Sequence, residues 1–147
     1  MQKFYDMKIT ICGSTFFAEE MLKIKDKLSS SGHEVFIPQS VIDFKINGPE
    51  SAIKMREDRG KYISKLKPHY TKHHFNLIEN SDAILVVNSK KNGIENYIGG
   101  ATFAEIMLAF HFGKKIFFLN PIPKDEKMSF VIDELETVKP IILNGDL

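Results

Sequence analysis

At 147 residues the chain has the length of one domain and can bury a sizeable core, and its composition is ordinary for a globular protein. A net charge of +1, with basic and acidic residues interspersed, leaves no electrostatic footprint for nucleic acid or an anionic membrane. A single cysteine, Cys12, excludes an intrachain disulfide framework and a four-cysteine zinc site.

The opening "MQKFYDMKITICG" lacks the pattern of a signal peptide, and no apolar run approaches the roughly 20 residues of a membrane span, so a cytoplasmic protein is expected. "KITIC", 8–12, predicts a buried strand that ends in the turn "GST". Phe17, Met21, Ile24 and Leu28 recur at helical spacing and predict a helix over 16–30, closed by Gly32. "EVFIP", 34–38, predicts a second strand, stopped by Pro38.

The stretch 39–68 reads as a variable helical insertion, either a lid or a packing helix pair. Asn47-Gly48-Pro49 signals a turn, and a helix is expected from about Glu50 to Leu66, weakened by Gly60. "HYTKHHFNLIENS" predicts a further helix that turns Phe75 and Ile78 inward. "DAILVVN", 82–88, is an unbroken apolar run, as in a strand covered on both faces. After the polar loop "SKKNGIENYIGG" come the helix "TFAEIMLAFHF", stopped by Gly113, and the strand "KKIFFLN". The turn "PIPKDEK", a short helix "SFVIDELE" with Ser129 as N-cap, and a last strand "KPIIL" complete the chain.

Strands alternating with helices predict a single α/β domain. Its expected form is a doubly wound, Rossmann- or flavodoxin-like, mostly parallel five-stranded sheet with helices on both faces. Ligands bind such sheets beyond the carboxyl ends of the strands, where the strand order reverses. That rule selects Gly13 and Ser14, the residues after Pro38, the loop from Asn88, and Asn120-Pro121. It also selects Glu105, on the helix that leaves the third strand's loop.

"ICGST" lets backbone N–H groups approach an anion, with Ser14 and Thr15 as hydroxyl donors. It is neither the three-glycine dinucleotide fingerprint nor a P-loop, and a plain capped turn is its alternative reading. A carboxylate such as Glu105 near a helix start ordinarily serves the helix dipole. Flanked by Phe103, Ala104, Ile106 and Met107, behind open glycine backbone, it also suits attack on a sugar anomeric carbon. His69 and His73 stand four apart on a helix, yet no third ligand follows at a metal-binding spacing, and no metal site is expected. A histidine here remains available for proton transfer or anion contact. Asp82 reads as a turn residue or cap, and the loop with Asn92, Asn96 and Tyr97 as a possible cover for a ligand.

"KITICGST", "HHFNLIENSDAILVVN" and "GGATFAEIMLAFHFGKKIFFL" resemble, in that order, the nucleoside 2-deoxyribosyltransferase family and the related deoxynucleoside 5′-monophosphate N-glycosidases. The likeness covers most of the chain and is weakest over 39–68. It implies Glu105 as nucleophile, preceded by Thr102 in the Gly99-Gly100 loop. It implies that Cys12, Gly13 and Ser14 form the turn at the sugar or its 5′-phosphate, and that Asp82 is largely structural. His74 or His73 would contact the sugar, the phosphate or the leaving base, with Asn88 and Asn120 at the strand ends beside them. No metal or organic cofactor is implied. A homodimer or higher oligomer is, with a neighbour closing each site. The apolar helix Phe103–Phe112 is the candidate interface, unless it lies wholly buried within one chain.

Three positions depart from the family pattern. Thr10 stands where a tyrosine is common, His74 where a second acid stands, and Tyr97-Ile98-Gly99 where an aspartate or serine is frequent. A weaker likeness is to phosphoribohydrolases that release cytokinin-type bases, whose Gly-Gly-x-Gly-Thr-x-x-Glu loop is one residue longer than "GGATFAE". Two functions follow as expectations. One is an enzyme of nucleotide metabolism that hydrolyses or transfers the N-glycosidic bond of a nucleoside or nucleotide. The other is a non-catalytic nucleotide-binding or sensing module on the same fold.

Overall fold

A computed structural model describes residues 6–45 and 57–147. Its centre is the pairing of β1 (Lys8–Gly13) with β3 (Ala83–Val87), parallel from Ile9 opposite Ala83 to Gly13 opposite Val87. All five residues of β3 are buried, which is why that run shows no polar alternation. β2 (Glu34–Phe36) pairs with β1 on one side. β4 (Lys115–Phe118) pairs with β3 on the other, and β5 (Ile141–Ile142) follows it. The sheet order is β2-β1-β3-β4-β5, all parallel, which is the doubly wound α/β class expected.

The chain path decides which face each helix covers. α1 (Ala18–Ser30) carries the chain from β1 to β2; beyond β2 the path reverses and crosses β1 to reach β3. Parallel crossovers are right-handed, so the reversal sends the helices that lead into β3, β4 and β5 to the face opposite α1. Met21, Ile24 and Leu28 of α1 pack with Ile9, Ile11, Leu85 and Val87, and Val41 of α2 (Gln39–Lys45), which follows β2 at the edge of the sheet, stays on that same face. The alternate strand residues Ile84, Val86 and Phe118 pack with the other helices. These supply Ile78 from α3 (Lys67–Glu79), Ile106 and Ala109 from α4 (Gly100–His111), and Val131 and Leu135 from α5 (Ser129–Thr137). The order reverses between β1 and β3, so their carboxyl ends frame a crevice.

Several boundaries differ from expectation. β2 stops at Phe36 and β5 holds only two residues, Lys139 having turned to φ +50 just before it. A helix begins directly after Pro38. Most of the helix expected over Glu50–Leu66 lies outside the described residues. Its described end is a helical turn, Arg59–Lys61, and a π-helical stretch, Tyr62–Leu66, running unbroken into α3. Pro68 does not separate two helices: the chain is helical on both sides of it, with the wider π-helical turn directly ahead of α3. Ser129 is not a cap. Asp125 is, accepting from the Lys127 N–H at 2.9 Å ahead of a 3₁₀ turn, Glu126–Met128, that leads into α5. The glycine stops hold: Gly32 (φ +98) and Gly113 (φ +70) follow α1 and α4 in the left-handed conformation. No helix among the described residues is long and apolar enough to cross a membrane.

Candidate functional site

At the β1/β3 crevice lies a cavity of about 200 Å³. Its near wall is the turn after β1: Gly13, Ser14 and Thr15. β1 and β3 run so close here that a Cβ on Gly13 would stand 2.9 Å from the Val87 carbonyl oxygen, so only glycine fits the turn without a shift. Ser14 accepts from the Phe16 N–H at 3.2 Å, making the local cap, and from Lys91 Nζ at 2.9 Å. Lys91 also lies 5.0 Å from the Tyr97 ring centroid and 5.7 Å from that of Phe16, so two rings and a hydroxyl fix its charge at the cavity edge.

The opposite wall is the start of α4: Gly99, Gly100, Ala101 and Thr102. Gly99 occupies the cap position in extended geometry and gives no side-chain cap, so the first N–H groups of the helix are left for a ligand. One turn further in, Glu105 reaches the cavity with only 13% of its side chain exposed. Burial raises its carboxyl to about 8; contact with Cys12 and the charge of Lys67 pull weakly the other way. The free protein therefore holds Glu105 largely protonated at neutral pH.

α3 supplies the third wall. Lys67, Tyr70, Thr71 and His74 recur at three- and four-residue spacing and all face the cavity. His74 is buried, and burial lowers its pKa to about 4, opposed by a contact with the Ile11 backbone and reinforced by His73. Its Nε2 is 3.5 Å from Cys12 Sγ and 4.0 Å from Glu105 Oε1. Cys12 lies beneath, fully buried. Burial foremost, then the neighbouring Glu105, raises its thiol. One donor atom from each of Cys12, His74 and Glu105 lies within 4.8 Å of the other two.

The segment 39–68 contributes directly. Gln39 and Ser40 of α2 and Tyr62 of the π-helical stretch border the cavity, while Val41 packs into the core, so α2 is both wall and packing element. Asp43 accepts from Gln39 Nε2 at 2.9 Å and from the Tyr70 hydroxyl at 2.7 Å, which fixes two polar groups of that wall. Burial, with that bond, pushes the Tyr70 phenol further up.

Of the residues singled out in the sequence, Gly13, Ser14, His74, Gly99, Gly100, Thr102 and Glu105 border the cavity, and Cys12 touches His74 from below. Asn88, Asn120 and His73 do not border it. Asn88 donates to the carbonyls of Asn120 and Pro121 at 2.8 and 3.0 Å and accepts from the Asn120 N–H at 2.9 Å; Asn120 Nδ2 returns a bond to the Asn88 carbonyl. The pair clasps the ends of β3 and β4. Thr10 is likewise spent, 2.7 Å from Ser81 Oγ in the buried sheet face. Asp82 Oδ2 accepts from the Lys8 N–H at 2.8 Å, at the far end of the strands. Gln39 and Ser40, among the residues selected after Pro38, border the cavity too, whereas Lys67, Tyr70 and Tyr62 were missed. The signal for Lys67 and Tyr70 was a polar row, 67, 70, 71, 74, leading to buried Ile78 where an amphipathic helix would be apolar.

No protein-family model matches the chain, and no curated protein matches it either.

Proposed function

We propose that the protein cleaves or transfers the N-glycosidic bond of a nucleoside or nucleoside 5′-monophosphate, with Glu105 as the nucleophile. The observation that carries this reading is the carboxylate itself, set into a cavity at the switch point between uncapped helix N–H groups and the Gly13-Ser14 turn. The sequence likeness to nucleoside 2-deoxyribosyltransferases supports it. In the reaction the ionised Glu105 attacks C1′, and the electron pair of the C1′–N bond leaves with the base, which takes a proton. Water, or a second base, then displaces the glutamate and regenerates it. The N–H groups of α4, Ser14 and Lys91 hold the sugar hydroxyls and any 5′-phosphate.

A non-catalytic nucleotide-binding module is the second reading. One observation favours it: the two positions that depart from the family pattern, Thr10 and His74, are buried, Thr10 bonded to Ser81 and His74 against Cys12, so neither supplies a second acid at the cavity. The separating experiment incubates the protein with ribo- and deoxyribonucleosides and their 5′-monophosphates, with and without a second free base. Free base or exchanged nucleoside supports the enzyme. No product over hours, with nucleotides still raising Tm, supports the module.

The same reading includes a homo-oligomer. On α4 and just beyond it, Phe110 and Phe112 are 46% and 41% exposed, an apolar surface suited to a second copy of the chain.

A further inference from the structure

The sequence offered a metal only the pair His69 and His73, with no third ligand. The fold brings together a different group. β1, α3 and α4 each contribute one donor: a thiol, an imidazole and a carboxylate. We propose that Cys12, His74 and Glu105 form a three-ligand site for a divalent transition ion of the zinc class, with the remaining coordination position open to the cavity.

The geometry carries this. Metal–ligand bonds of about 2.0 to 2.3 Å at tetrahedral angles separate neighbouring donors by about 3.3 to 3.6 Å. The Cys12 Sγ–His74 Nε2 distance is 3.5 Å, the His74 Nε2–Glu105 Oε1 distance is 4.0 Å, and all three donors lie within 4.8 Å of one another. Small side-chain rotations therefore close the set around one ion. A thiolate beside an imidazole selects zinc or cobalt over the hard ions magnesium and calcium, which favour all-oxygen shells. His74 and Glu105 stand in the cavity wall with Cys12 behind them, so an ion enters from the cavity. Coordination takes Cys12 as thiolate and Glu105 as carboxylate, their protons passing to solvent. An ion held there withholds Glu105 from any sugar, so the metal acts as an inhibitor of the proposed glycosidic chemistry.

The test is a Co²⁺ titration of the reduced protein followed by absorbance. The site predicts a thiolate-to-cobalt charge-transfer band and the intense visible bands of four-coordinate Co²⁺. They should saturate at a single ion per chain and be displaced by Zn²⁺. Cys12→Ser abolishes the charge-transfer band and weakens binding about tenfold or more. His69→Ala leaves both unchanged. No thiolate band at saturating Co²⁺, or loss of ion binding in His69→Ala alone, overturns the site. If Cys12→Ser does not fold by circular dichroism, Glu105→Gln replaces it, and unweakened ion binding there overturns the site equally. Base release is scored separately, on protein freed of metal by a chelator. Ion binding without base release on any substrate leaves this site standing and ends the glycosidase reading. Base release with no thiolate band does the reverse.

Discussion

Glu105 and His74 face each other across 4.0 Å with opposite shifts, and each sets its own pH window. Burial raises Glu105 from 4.5 to about 8. Between those values the folded protein keeps a proton that the unfolded chain has released, so stability falls as pH rises through the window. Burial lowers His74 from 6.5 to about 4, so its contribution is full above 6.5 and is lost as pH falls toward 4. The two slopes oppose each other between about 4.5 and 6.5, and only Glu105 acts between about 6.5 and 8. Tm should therefore decline from pH 6.5 to 8 in the parent and stay flatter in Glu105→Gln; parallel curves would refute the buried, protonated carboxyl. If Glu105 is the nucleophile, kcat/KM climbs with pH through about 8, because only the ionised form attacks. A profile that falls through that region would make Glu105 an acid instead. At this scale the sequence marked Glu105 through its glycine-rich approach and apolar flanks. It could not mark the partners of Asn88 or Thr10. Thr10 lies within β1 and Asn88 directly after β3, and only the fold reveals that Ser81 and Asn120 consume them.

At the scale of elements, the β1 turn and the start of α4 are both glycine-bearing, yet the two ask different things of glycine. A Cβ on Gly13 would press on the Val87 carbonyl at 2.9 Å, whereas one on Gly100 would meet nothing within 4 Å. Gly13→Ala should thus cost about 1 to 3 kcal/mol in chemical denaturation. Gly100→Ala should leave stability unchanged or slightly higher, as alanine suits a helix better. Equal losses in the two variants would contradict the close approach of β1 and β3. Capping gives a second contrast. Asp125→Ala should cost about 1 kcal/mol, and Ser129→Ala should stay within about 0.5 kcal/mol. The sequence pointed to the wrong cap because Ser129 does start the α-helical stretch; a 3₁₀ turn, which shares no period with the helix, moved the capping position upstream. The π-helical stretch was illegible for a similar reason. No hydrophobic period announces it, and its extra residue per turn is visible only once Tyr62 is seen at the cavity.

For the whole molecule, alternation of strand and helix was enough to predict a doubly wound parallel sheet and to point to the carboxyl ends of its strands; that the order reverses between β1 and β3 is read only from the fold. What periodicity could not supply was convergence. Cys12, His74 and Glu105 are separated by up to 93 positions in sequence and meet only because β1, α3 and α4 share one sheet face. The exposed Phe110 and Phe112 belong to the same scale. Sedimentation should give a mass of at least two chains, and Phe112→Lys should lower it; a parent of single-chain mass would remove the oligomer from the account.

The central claim is that Glu105 attacks the sugar. The most direct measurement is the rate of base release by Glu105→Gln beside the parent, on whichever substrate of the panel the parent turns over, with fold and nucleotide binding checked in both. The account predicts a loss of roughly a thousandfold or more with binding retained. Turnover by Glu105→Gln at the parent's rate would contradict it.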